Sequence, residues 1–283
     1  MSVEVKAHSG AAAHMGDRRS AKAIAFGTWY VTEHRLRTMR AYLTTILMGS
    51  VFNPVIYLFA LGVGIGSYID SNSGGIGSGA TSYLAFVGPA LLASAAITVA
   101  FEETSFPVMG GFKWTREFWA MNAAPIGGRQ VANGVLLAAG IRIVFTVLVF
   151  FGFLLVFGAA PSAWSFFAVP AAILSGLSFG SLIMAFASRL EEDEGWFATV
   201  QRLVIAPMFL FSGTFFPLER LPIGLQWIGW ISPLWHGTQL GRIAAYGMKE
   251  PWWLAAGHIA FLAATLALGL GLSWKSFERR LSK

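Results

Sequence analysis

Long apolar runs separated by short polar gaps dominate this chain. About six such runs can be picked out, at 41–66, 83–104, 130–157, 165–188, 197–216 and 252–274. A helix needs about 20 apolar residues to cross a hydrocarbon layer of about 30 Å. The pattern therefore predicts an all-α polytopic membrane protein with six transmembrane helices. Ahead of the first run the pattern changes. Within 20–40, at about 100° per residue, Ile24, Ala25, Thr28, Trp29, Val31, Leu36 and Met39 share one arc, with Glu33, His34, Arg37 and Arg40 opposite. Arg35 intrudes on the apolar arc. Two readings fit: an amphipathic helix lying in the interface with its basic face toward headgroups, or a basic flank of the first span. Residues 1–19, rich in Ala, Gly and His, read as a disordered tail.

Breaks inside the runs carry further information. Asn53-Pro54 sits in the middle of the first, where a proline frees a carbonyl and kinks the helix unless protein or water satisfies it. The second run ends in Glu102-Glu103, the third contains Arg142, and the fifth contains Pro207. Residues 217–251 are too polar and too interrupted by Pro and Gly to span, yet they include Leu221, Leu225, Trp227, Trp230 and Trp235. They read as short external helices re-entering the bilayer from one face, with Trp at headgroup level.

The bases sort by side. With the N-terminus inside, sixteen of the 20 Lys and Arg are cytoplasmic, Arg220, Arg242 and Lys249 are outside, and Arg142 is in the membrane. That bias predicts both termini, including a tail at 276–283, on the cytoplasmic side of a bacterial inner membrane. Composition agrees: 55% hydrophobic and 12% charged, where soluble domains carry about 25% charged residues. The net charge of +6 follows from positive-inside loops, so no nucleic-acid partner is expected. No cleavable signal is expected either.

Most catalytic chemistry is missing. There is no Cys, no G-x-x-x-x-G-K-[ST] and no metal-ligand spacing among the five His, so no metal and no cofactor of its own is expected. Acids near lipid are too few for a proton relay. Work done by this chain has to be driven from elsewhere.

Two stretches resemble a known family. The run Ala206-Pro-Met-Phe-Leu-Phe-Ser-Gly-Thr-Phe-Phe-Pro-Leu-Glu-Arg-Leu-Pro222, followed by Ser232-Pro-Leu-Trp-His-Gly237 and Arg242, resembles the C-terminal signature of type-2 ABC exporter permeases, in the nodulation-factor and daunorubicin-exporter branch. Phe101-Glu102 and 119–126 resemble the same branch, and the similarity covers roughly 40–275. It implies six spans (a type V ABC exporter-like fold), a transmembrane domain at 41–275, and a second permease, identical or similar. It also implies two separate ATPase subunits carrying ATP and Mg, and outward movement of an amphipathic or lipid-like molecule. The dense acids Glu191, Glu192, Asp193 and Glu194 depart from that pattern. They read as a solvated connector or as a contact for a basic patch on the ATPase.

Within this frame the loop 105–129 is the expected handle on the motor, through Lys113, Trp114, Thr115, Arg116, Glu117, Phe118 and Trp119. Aromatic and Arg residues favour interface anchoring; a plain loop helix on headgroups is the alternative. Arg142 needs a partner at its depth; Glu102 would face it or the coupling segment, and one of the pair Glu102 and Glu103 is expected to be a solvated helix end. Phe215, Phe216, Pro217, Leu221, Pro222, His236 and Arg242 would form the external gate, unless His236 and Arg242 only cap helices and satisfy carbonyls. Asn53, Pro54, Phe209 and Phe211 are the candidate path lining. A secondary transporter or a membrane scaffold not driven by ATP stands as the alternative function.

Overall fold

The computed structural model describes residues 21–22, 24–72, 79–192 and 194–282. The expected tail at 1–19, part of the connector after the first run, and Asp193 lie outside them. All regular structure among the described residues is helical. The elements are α1 (24–39), α2 (Leu43–Phe59), α3 (Ser67–Asn72), α4 (Tyr83–Thr104), α5 (Phe106–Lys113), α6 (Glu117–Ala123), α7 (Gly128–Val156), α8 (Ala168–Ala187), α9 (Trp196–Val200), α10 (Ala206–Phe211), α11 (Ile223–Trp230), α12 (Pro233–Tyr246) and α13 (Trp252–Leu281).

Among the described residues, five helices are long and apolar enough to cross a membrane: Ile24–Asn72, Tyr83–Lys113, Gly128–Val156, Ser165–Ala187 and Trp252–Leu281. The fifth apolar run of the sequence forms the shorter helix Trp196–Phe211. Two boundaries differ from expectation. The amphipathic segment and the first run form one helical path, joined by a tight turn at Arg40–Tyr42 and widened to π geometry at Ala60–Gly66. The expected tail after 275 is instead the last turns of α13, because Phe277 and Leu281 are buried against the α5–α6 hairpin.

Small residues set the packing. α4 and α8 form the centre, with α7, α12 and α13 around them. A Cβ on Gly176 would meet the Ala96 carbonyl at 2.9 Å, so the α4 and α8 backbones nearly touch. Lipid offers no hydrophobic force between helices, and close backbone approach through small side chains takes its place. α2 stays peripheral: it rests on α7 and leaves Met48, Phe52, Ile56 and Phe59 exposed.

Proline explains one irregularity. Pro207 has no N–H for the carbonyl four residues back and its ring crowds it, and the preceding turn Gln201–Ile205 widens to π geometry. Pro54, by contrast, is accommodated inside α2.

Candidate functional site

The ionisable residues that the sequence leaves scattered come together at one end of the bundle. Glu102 and Glu103 close α4, and Arg142 lies about midway along α7. Arg142 pairs with both: Nη2 is 2.6 Å from Glu102 Oε2, and Nη1 contacts Glu103 Oε1. The expected solvated helix end is therefore not what is found, since even the half-exposed Glu102 is bonded. Glu103 is almost wholly buried.

Arg35 extends the cluster. It is 8% exposed, with Nη2 3.9 Å from Glu103 Oε2 and 3.5 Å from the Glu103 carbonyl, and Nη1 3.2 Å from Glu117 Oε1. His34 Nε2 is 3.2 Å from the other Glu117 oxygen. Four elements (α1, α4, α6 and α7) thus meet in one network of two arginines and three carboxylates. Buried charges of this kind persist only when paired and hydrogen-bonded.

α1 is held where this network needs it. Its inner face packs on α7 rather than lying free: Thr32 Oγ1 donates to the Gly134 carbonyl at 3.2 Å, and Gln130 donates to the Ile24 carbonyl at 2.6 Å. Only glycine fits at 134, since a Cβ there would lie 2.5 Å from Val31 Cβ and 2.7 Å from the Thr28 carbonyl oxygen.

The α5–α6 hairpin divides the seven residues expected to face a motor. Trp114, Thr115 and Arg116 form its exposed tip. Arg116 has φ 53°, a left-handed conformation costly for a residue with a Cβ. Glu117, Phe118 and Trp119 point inward, which corrects the expected surface. Phe118 is fully buried between Phe112 and Phe277, Trp119 donates to the Phe112 carbonyl at 3.1 Å, and Glu117 faces Arg35. Lys113 is 3.0 Å from Glu192 of the acidic run. α13 braces the hairpin from behind: Arg280 donates to the Ser188 and Leu190 carbonyls at 2.9 Å each and covers the Phe112 ring at 4.4 Å.

Above the ionic cluster a cavity of about 290 Å³ opens between α2, α4, α7 and α10. Glu102 and Arg142 lie at the end nearest the hairpin; Asn53, Pro54 and Phe209 line it further along, with Ser50, Thr98 and Thr146. Ser50 and Thr146 hydroxyls bond each other at 3.1 Å. Phe211 is not among the lining residues, a correction to the expected path: it ends α10, where its carbonyl backs onto Gly229.

At the opposite end, the expected gate residues are mostly occupied with internal bonds. Arg242 is buried, with Nη2 2.6 Å from the Gly213 carbonyl, Nε 3.2 Å from that of Phe86, and its guanidinium 3.7 Å over the Phe86 ring. His236 Nε2 lies 2.9 Å from the Trp230 carbonyl. The Phe215 carbonyl accepts from the Tyr83 hydroxyl at 3.3 Å, and that of Leu221 from Gln226 at 2.9 Å. Phe216 is partly exposed, and Pro217 and Pro222 start short helical turns.

Sequence reasoning missed the partners of Arg35, and missed Gly134 and Arg280 altogether. A usable signal existed for Arg35 alone: it breaks an otherwise apolar arc.

Comparison with known proteins gives concordant matches. The family model described as ABC-2 type transporter matches residues 28–246. Nodulation protein J of Rhizobium leguminosarum bv. viciae is 30% identical over 253 residues, covering 86% of this chain and 90% of that protein. The bv. trifolii protein of the same name is 30% identical over 244 residues (83% and 86%), and that of Neorhizobium galegae 30% over 248 residues (84% and 87%).

Proposed function

Since the chain belongs to the ABC-2 type transporter family, we propose that it is the permease subunit of an ATP-driven exporter. It works in a bacterial inner membrane, with both termini cytoplasmic and a second permease beside it. Two separate ATPase subunits would hold the ATP and Mg and supply the hydrolysis. The substrate is an amphipathic or lipid-like molecule taken from the inner leaflet. One observation carries the reading: the ionic network links the exposed α5–α6 tip, through Glu117 and Arg35, to the Glu102–Arg142 end of the cavity. A push on the hairpin has a short, buried route to the groups beside the substrate space. The mixed lining of apolar side chains and hydroxyls suits an amphiphile.

The test is reconstitution with the companion ATPase. Trp114→Ala with Arg116→Ala is expected to weaken association of the ATPase, because those side chains are exposed at the tip. Glu117→Ala is expected to leave association intact and to lose nucleotide-dependent efflux. Efflux on an ion gradient alone, with no ATPase present, would overturn the proposal.

A further inference from the structure

At the end away from the ionic network, four polar groups stand in a row. His236 Nε2 is 2.9 Å from the Trp230 carbonyl, His236 Nδ1 is 2.7 Å from His258 Nδ1, and His258 Nε2 is 3.2 Å from Glu250 Oε1. The row joins the end of α11, α12, the loop before α13, and α13 itself. Phe261 stacks on the His236 ring at 3.9 Å, and Trp235 packs edge-on against both imidazoles at 5.0 and 4.9 Å. Both histidines are buried, and the Glu250 side chain is 11% exposed.

Counting hydrogens fixes the protonation of this row. Each of the three contacts needs one. The carbonyl and an ionised carboxylate bring none, and a neutral imidazole brings one. Two neutral rings therefore leave one contact unfilled. Because His236 must donate through Nε2 to the carbonyl, its Nδ1 accepts, and His258 donates through Nδ1. His258 Nε2 would then present a lone pair to a carboxylate oxygen. One extra proton between His258 and Glu250 completes the row and leaves the cluster neutral. His236 already gives its own proton to the Trp230 carbonyl and accepts from His258, so the open contact, and the extra proton, lie at the Glu250 end; burial lowers the His236 imidazole to about 4, which keeps that ring neutral. Glu250 Oε2 is buried with no hydrogen-bond partner, a setting unfavourable to a bare carboxylate. A shared metal ion does not fit. Ligand nitrogens each about 2.0 Å from zinc in tetrahedral geometry sit further apart than the two Nδ1 atoms, and Glu250 bonds the outer nitrogen of His258.

We propose that His236, His258 and Glu250 form a binding site for a single proton that locks the α11–α12 hairpin to the start of α13. Filled, the site is a continuous hydrogen-bonded row. Emptied, it sets a carboxylate against a lone pair in a dry space and drives the loop 247–251 away from α13. The groups facing the rings are the Trp230 carbonyl from α11, Trp235 from α12, Phe261 from α13 and Glu250 from the loop. Arg242, further along α12, is turned to the Phe86 and Gly213 carbonyls instead. The proposal holds whatever the chain transports.

The direction with pH follows. Above about 6.5 a free histidine and a free glutamate hold no extra proton, while the closed row holds one. Closure therefore weakens as pH rises, by up to about tenfold in its equilibrium constant per pH unit. Below about 6.5, and down to the His236 value of about 4, freed His236 takes up a proton that the buried ring refuses, so closure weakens there too. Stability peaks between the two.

The experiment uses the full-length chain in lipid nanodiscs. Glu250→Gln supplies a fixed N–H to His258 Nε2 in place of the titrating proton. Its melting temperature is expected to stay level from pH 7 to 9, while that of the natural protein falls. Parallel decline in the two proteins would overturn the proposal. Should Glu250→Gln fail to fold, ¹⁵N spectra of histidine-labelled natural protein at pH 6.5 decide. A proton on His258 Nδ1 and on His236 Nε2 is expected, and a His258 lacking its Nδ1 proton would refute the row.

Discussion

Arg35 Nη1 stands 3.2 Å from Glu117 Oε1, so the residue that spoils the apolar arc of α1 also ties α1, together with His34, to the α5–α6 hairpin. Replacing it with Leu would restore the arc and is expected to leave α1 folded. It would also leave Glu117 with His34 alone and remove a second cation from Glu103. Efflux per ATP hydrolysed by the reconstituted complex should drop, with Arg35→Lys intermediate because an ammonium cannot hold both carboxylates in a planar fork. An unchanged ratio would show that the link transmits nothing.

Glu103 is the pivot of the network, facing Arg142 on one side and Arg35 on the other. Glu103→Gln removes the anion while both cations remain, and removing one partner of a buried pair costs about 3–5 kcal/mol. A lowered melting temperature and yield are expected. The double change Glu103→Leu with Arg142→Met, which withdraws the main pair together, should be milder; a double change at least as damaging as Glu103→Gln would contradict the pairing.

Contact between α1 and α7 depends on the missing side chain at position 134. Gly134→Ala places a methyl against backbone that cannot yield, at about 1–3 kcal/mol for overpacking. The expected sign is faster tryptic cleavage at exposed Arg37 as α1 lifts. Gly49→Ala, where an added Cβ meets nothing within 4 Å, serves as the control.

Arg116 adopts φ 53° at the hairpin tip. Arg116→Gly should raise stability by about 1 kcal/mol by relieving the left-handed strain, read by thermal melting. Binding of the ATPase should fall in the same variant, since the exposed guanidinium is lost. A variant unchanged in both respects would mean that the conformation serves no interface.

The bundle was legible in the sequence because lipid imposes length and apolarity on any helix that crosses it. The positions of Glu102, Glu103 and Arg142 were legible for a related reason: a charge at such depth needs a partner. Glu102 could be named from sequence as a candidate partner for Arg142, but the part of Glu103 was not legible, and the structure uses both. The hairpin was found by its charge and aromatic content, but composition alone could not tell the outward Trp114 from the inward Phe118. His236 and His258 are 22 residues apart, and no spacing rule connects them.

Local sequence determined where the apolar helices form, because hydrophobic length acts on the chain at its own position; the extension of α13 to Leu281 and the unbroken path of α2 through Pro54 came with tertiary packing. Tertiary structure alone decided which distant polar groups share a hydrogen bond or a charge. Those pairings depend on how the helices rotate and approach one another, and that is set by small residues such as Gly134 and Gly176, whose meaning lies in the neighbour they admit.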